Sequence, residues 1–182
     1  ARKSRGLGDV YKRQALHALN ALLNGDLKPD VVILEDYDKG FMTESLVGQI
    51  IEACRHADVP VTVDPKLKRF SAYRKVDLFK PNLKELNEGL GLNPPVRPSD
   101  RDGMSHAVEA LMVKLGCECV FVTLGEHGSW IHAPKEDVHH VHIPAIPRKV
   151  VDVSGAGDTV IAVSSLMLAL SLIHISEPTR LT

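Results

Sequence analysis

Short apolar runs alternate with helical spacings along this chain. Val31-Val32-Ile33-Leu34 is continuous, as a strand buried on both faces is. Leu46, Val47, Ile50, Ile51 and Cys54 then recur at helical spacing behind Thr43, an N-capping residue type, so a helix is predicted over 43–57. Residues 59–63 and 76–79 read as the next two strands, and Asn82 opens a helix to about residue 90. Three prolines mark residues 91–101 as a loop, after which Ser99 and Asp102 have capping-box spacing for a helix ending near Gly116. Residues 119–123 form a fourth buried strand. Residues 129–132 and 138–143 are predicted to pair antiparallel through Pro134-Lys135-Glu136-Asp137. Gly155-Ala156-Gly157 leads into an apolar helix over 158–169. Repeated strand–helix–strand units predict an α/β fold of three layers, a mostly parallel sheet between helices. No repeat, low-complexity tract or internal linker interrupts it.

Composition narrows the partners. The 182 residues are 44% hydrophobic and 25% charged, the balance of a soluble globular domain. An aromatic content of 4% argues against a nucleic-acid sheet built on stacking rings. A net charge of -1 supplies no basic field for nucleic acid or anionic lipid. Cys54, Cys117 and Cys119 are too few for a disulfide framework and read as small buried apolar groups.

The two ends carry a pattern of their own. Residues 4–14 read SRGLGDVYKRQ and residues 170–180 read LSLIHISEPTR. One DNA encoding of the first segment, taken as its reverse complement, translates in frame as the second. The pair resembles a transposon-type sequencing adapter read through on both sides of an insert. Residues 1–14 and 170–182 are therefore expected to be adapter-derived and set aside, leaving 15–169 as an insert truncated at both ends. Without them 16 basic residues face 21 acidic ones, a net of -5. The apolar run over 160–175 falls short of the ~20 residues a membrane span needs, even uncut.

Polar residues follow each strand at once, where an open parallel sheet binds its ligands. Glu35-Asp36-Tyr37-Asp38-Lys39-Gly40 follows the first strand and Asp64-Pro65-Lys66 the second. Lys80-Pro81-Asn82-Leu83-Lys84-Glu85 follows the third, and Thr123-Leu124-Gly125-Glu126-His127-Gly128 the fourth. Together they suggest a rim for phosphate and metal. The sharpest motif is Asp152-Val153-Ser154-Gly155-Ala156-Gly157-Asp158. Glycines at a helix start let backbone N–H groups approach an anion, and the helix dipole favours it there. Asp158 in the first turn would lie beside that anion and accept a hydroxyl proton during phosphoryl transfer. A plainer reading is a glycine-rich helix entry with Asp158 as a dipole partner. The lysine and spacing of a P-loop are absent, and Val160 stands where a third glycine of GxGxxG would be.

Taken together, these segments resemble the ribokinase-like carbohydrate kinase family. Residues 152–158 look like its C-terminal signature, in which Gly155, Ala156 and Gly157 would form an anion hole and Asp158 the catalytic base. Residues 123–128 are similar to its nucleotide-contacting turn, implying roles for Thr123, Gly125 and Gly128. Asn82-Leu83-Lys84-Glu85 matches its N-x-x-E motif, which places Asn82 near the nucleotide and both Asn82 and Glu85 in the network around magnesium and phosphate. Asp36-Tyr37-Asp38-Lys39-Gly40 and Val63-Asp64-Pro65-Lys66 look most like the bacterial heptose 7-phosphate kinases of the family. They imply sugar contacts from Asp36, Lys39, Asp64 and Lys66. Asp38 stands where that branch more often has a small residue.

The resemblance covers the whole insert, residues 15–169, as part of a carbohydrate kinase domain that lacks the family's N-terminal lid. It implies a cytoplasmic enzyme that uses ATP and Mg²⁺ to phosphorylate a sugar hydroxyl, with heptose 7-phosphate at C1 as the acceptor. It also implies a homodimer formed through the lid. The alternatives are a related kinase for ribose, a hexose or a nucleoside, or a nucleotide-binding fragment without activity. Single residues keep plainer readings as well. Asn82 with Glu85 can be a helix cap, Asp64-Pro65 a strand-ending turn, and Lys39 a solvated lysine. His132, His139, His140 and His142 are read as surface histidines of a hairpin rather than a zinc site, with Trp130 in the hairpin packing.

Overall fold

The computed structural model describes residues 7–146 and 155–170. Helix α1, Leu7–Leu23, precedes strand β1, Val32–Glu35, and helix α2, Glu44–His56. Strand β2, Val61–Asp64, runs through a 3₁₀ segment, Leu67–Ala72, to the short strand β3, Leu78–Phe79. Helices α3, Leu83–Leu90, and α4, Arg101–Leu115, lead to β4, Cys119–Thr123. An antiparallel pair, β5, Ser129–Ala133, and β6, Val138–Ile143, precedes α5, Ala156–Ala169.

The six strands lie in chain order, β1-β2-β3-β4-β5-β6. The first four are parallel, with Leu34 opposite Val63 and Phe79 opposite Val120. β5 returns antiparallel to β4, and β6 to β5. The predicted alternation and mostly parallel sheet are borne out, and the carboxyl ends of the four parallel strands share one edge.

Two apolar layers hold the sheet. On one face Leu34, Val61, Val63, Phe79, Val120, Val122 and Trp130 join Val47, Ile50, Ile51, Leu86, Val108 and Leu111 of the helices. From α1, Leu16, Leu19 and Leu23 join this core. On the other face Leu78, Cys119 and Ala133 meet Ile161 of α5. A buried polar pair lies in this second interface. Ser165 donates to the Ile161 carbonyl, so its oxygen accepts from the Thr62 hydroxyl at 2.6 Å. All three thiols are buried, and burial pushes Cys54 up to about 11 and Cys117 and Cys119 up to about 12.

Three local expectations change. β1 is an edge strand, and Ile33 is 37% exposed, so the run is not buried on both faces. The cap of α4 is Asp100, whose carboxylate accepts the Gly103 N–H at 2.9 Å, in place of the Ser99–Asp102 box. His132 is buried rather than at the surface. Its ring stacks on His140 at 3.8 Å, where the β5–β6 register shifts and His140 takes φ 49. No cluster of three or more metal-ligating residues occurs among the described residues, and no described helix is long and apolar enough to cross a membrane.

Candidate active site

The loop after β1 is built around a buried carboxylate. Asp36 accepts from Arg69 Nε at 3.1 Å, Arg69 Nη2 at 2.8 Å, Tyr73 Oη at 2.7 Å and the Asp38 N–H at 2.8 Å. Burial alone would raise its pKa. The Arg69 and Tyr73 bonds, with the Asp38 amide and the guanidinium charge, outweigh burial and hold it below the ordinary 3.8. Arg69 also reaches Asp38 at 2.9 Å, and those bonds raise the guanidinium's own pKa. Asp36 therefore holds the loop, with both of its oxygens engaged. What the loop presents outward is Tyr37, 57% exposed, and Lys39, which has no charged partner among the described residues.

A second cluster joins β2, β3 and the start of α3. Asp64 Oδ1 lies 3.2 Å from Lys80 Nζ and 3.8 Å from Lys66 Nζ, and Lys66 also reaches Glu85 Oε1 at 3.4 Å. Glu85 Oε2 accepts the Asn82 N–H at 2.9 Å while Asn82 Oδ1 accepts the Glu85 N–H at 2.8 Å. The capping box is therefore formed, and the other oxygen of its glutamate belongs to the charged cluster. Two lysines balance two carboxylates, which makes a buried cation such as Lys80, 3% exposed, tenable.

Helix α5 enters above this cluster. Gly155, its N-cap, has φ 76, a left-handed conformation that favours glycine. The first N–H groups of the helix, on Ala156, Gly157 and Asp158, have no intrahelical acceptor. A Cβ on Gly157 would lie 3.7 Å from Asp64 Oδ2 and 3.8 Å from Lys80 Nζ, so the buried ion pair sits directly beneath the helix entry. Asp152, Val153 and Ser154 lie outside the described residues. Asp158 is half-buried and meets the β1 loop, with its Oδ2 3.1 Å from Tyr37 Oη. The same phenol oxygen is 3.1 Å from Glu35 Oε2, and these two carboxylates, Glu35 first, push the Tyr37 hydroxyl up to about 12.

An open cleft of about 1280 Å³ runs from this entry along the end of β4. Asn82, Thr123, Gly125, Gly128, Ala156 and Gly157 line it, so it brings together six of the seven positions that the sequence assigns to nucleotide and anion, Gly155 being outside its lining. Gly125 has φ 62 and Gly128 φ 89, which keeps side chains out of the turn. Another cleft, of about 690 Å³, opens at the opposite end of the strands beside Asp77, Glu118 and Lys135. It shares no residue with the rim.

The sequence places Glu35, Tyr37 and Lys80 in rim segments without a role of their own and does not mark Arg69 or Tyr73. For Lys80 and Glu35 a signal was present, since both sit within one residue of a strand's carboxyl end. Arg69 lies in a 3₁₀ segment and Tyr73 directly follows it, with no periodicity to mark either.

A family model described as pfkB family carbohydrate kinase matches residues 31–171. A protein named Bifunctional protein HldE from Bradyrhizobium diazoefficiens is 40% identical over 151 residues, 83% of this chain and 29% of its own length. A protein of the same name from Rhodopseudomonas palustris is 39% identical, with 83% and 30% covered. The chain thus spans about three-tenths of the length of these curated relatives. Among solved structures, phosphofructokinase-2 from Escherichia coli in complex with potassium superposes with a TM-score of 0.72 at 20% identity, covering 88% of this chain and 49% of that one. Ribokinase from Arabidopsis thaliana, complexed with ribose and ATP, gives a TM-score of 0.61 at 23% identity, covering 90% and 47%.

Proposed function

Because this chain belongs to the pfkB family of carbohydrate kinases, we propose that its rim transfers the γ-phosphate of ATP to a hydroxyl of a phosphorylated sugar. The observation that carries this reading is the meeting of three parts at one place: the N-terminus of α5, the Asp158 carboxylate and the glycine-walled cleft. The cleft would take the nucleotide, with Thr123, Gly125 and Gly128 shaping its wall and Asn82 at the junction with the rim. The N–H groups of Ala156, Gly157 and Asp158 would hold the charge on the transferring phosphoryl group, where fixed donors stabilise a transition state best. Gly157 leaves room for that group, and Lys80 adds a cation beneath it. Asp158 would accept the proton of the attacking hydroxyl.

The oxygen donors of Asn82, Glu85 and Asp64 suit a hydrated hard cation. Glu85 and Asp64 already bind lysines, so Asn82 and Glu85 would hold Mg²⁺ through its water and phosphate ligands. The ion supplies charge neutralisation on the phosphates.

For the acceptor we propose heptose 7-phosphate, phosphorylated at C1. The likeness of the Asp36–Gly40 and Val63–Lys66 segments to heptose 7-phosphate kinases supports it. Exposed Lys39 would suit the acceptor's own phosphate, and Lys66 and Asp64 lie beside the site where transfer would occur. Within the full natural reading frame that contains this segment, Asp158→Asn is expected to lower turnover by about 10²–10⁴, with ATP affinity by calorimetry unchanged. Turnover retained in that variant would refute the base assignment. An acceptor panel of heptose 7-phosphate, ribose, fructose 6-phosphate and a nucleoside tests the substrate. A preference for any of the last three would overturn the heptose reading and leave the kinase reading in place.

A further inference from the structure

Tyr37 bridges the β1 loop to the helix carrying Asp158. Its phenol oxygen is 3.1 Å from Asp158 Oδ2 and 3.1 Å from Glu35 Oε2. A phenol has a single proton, so it can donate to only one of these carboxylates at a time. The side chain is 57% exposed, so the bridge is open to solvent. The loop beneath is not free to drift, because the buried Asp36–Arg69–Tyr73 bonds fix its root.

We propose that Tyr37 is a positioning residue for the base: its phenol holds Asp158 through Oδ2, leaving Oδ1 for the acceptor hydroxyl, while Glu35 is the alternative acceptor of the phenolic proton. This rests on the kinase reading given above. In the step itself the acceptor oxygen bonds to the γ-phosphorus as the bond to the β–γ bridging oxygen breaks. ADP leaves with that electron pair, and the acceptor's proton passes to Asp158 Oδ1. Tyr37 neither gains nor loses a proton. It sets the rotamer of the carboxylate, and an orientation error of this kind slows the chemical step without weakening nucleotide binding. The raised pKa of the phenol agrees with a hydroxyl that stays protonated as a donor throughout the working range.

Two measurements test this. In the full reading frame, Tyr37→Phe should lower kcat about tenfold with KM for ATP unchanged. In an Asp158→Ala background it should have no further effect on the residual rate, because nothing remains to position. A kcat within twofold of wild type, or the same fold-loss with and without Asp158, would overturn the proposal. The second arm needs no activity. With the present chain carrying ¹³Cζ-labelled tyrosine, Asp158→Ala should shift the Tyr37 resonance and leave that of Tyr73 in place. No shift would overturn the bridge even in an active kinase. A shift in a protein that phosphorylates no sugar would keep the bridge and remove the kinase reading.

Discussion

Replacing Arg69 by alanine removes two of the four hydrogen bonds to Asp36, from a guanidinium 9% exposed to a carboxylate 2% exposed. Breaking a buried ion pair from one side costs about 3–5 kcal/mol, mostly because the remaining charge stays desolvated. The Tyr73 hydroxyl and the Asp38 amide still bond Asp36 after the change, so the lower end, about 3 kcal/mol, applies. In a chain of this size each kcal/mol moves Tm by about 2–4 °C, which gives a fall of roughly 6–12 °C by circular dichroism at neutral pH. Acid should narrow the gap. Asp36 titrates below its ordinary 3.8 in the fold, so its contribution is fully present above 3.8 and is lost as pH falls through the folded value. A fall of less than about 2 °C at neutral pH would refute the reasoning, since it would mean the guanidinium is not a net stabiliser of the buried carboxylate. A gap that widened in acid would refute the assignment to Asp36.

Two further outcomes separate geometry from composition. Gly125→Ala meets open space at φ 62 and should cost about 1–2 kcal/mol, while at Gly128 (φ 89) a Cβ would strike the Ile143 carbonyl oxygen and the Ala145 nitrogen, so Gly128→Ala should exceed about 3 kcal/mol in urea unfolding. Equal costs would contradict the turn described here. His132 accepts the His140 N–H on Nδ1, and burial, then the neighbouring His140 and His139, lower its pKa below 6.5 against a smaller upward pull from Glu109. The unfolded chain therefore takes up that proton first, and stability should decline as pH falls below 6.5, the decline ending once the folded value is passed. His132→Gln should flatten that part of the profile, and an unchanged slope would point to another group.

The sheet was legible because continuous apolar runs such as Val31–Leu34 and the Thr43 cap are local signals, and local signals place strands and helices. The rim was legible for the same reason, as polar residues directly after strands mark the binding edge of a parallel sheet. The partners within the rim were not. Tyr37 and Asp158 meet across 121 positions, and Asp36 and Arg69 across 33, so no spacing rule joins them. Asp36 shows the consequence: nothing in the spacing announces that Arg69 and Tyr73 bond its carboxylate. The exposed face of Ile33 was hidden in a similar way, since an edge strand and a central one carry the same apolar run.

The three buried thiols make the surface of this protein chemically silent toward alkylating reagents. With Cys54 near 11 and Cys117 and Cys119 near 12, on the order of one thiol in ten thousand or fewer is thiolate at neutral pH, and none faces solvent. A single cysteine placed at Lys39 would be modified far faster than the native three. A fluorophore or spin label can thus be put on the β1 loop without first stripping the core of its sulfur, and the distance between that loop and α5 becomes directly measurable.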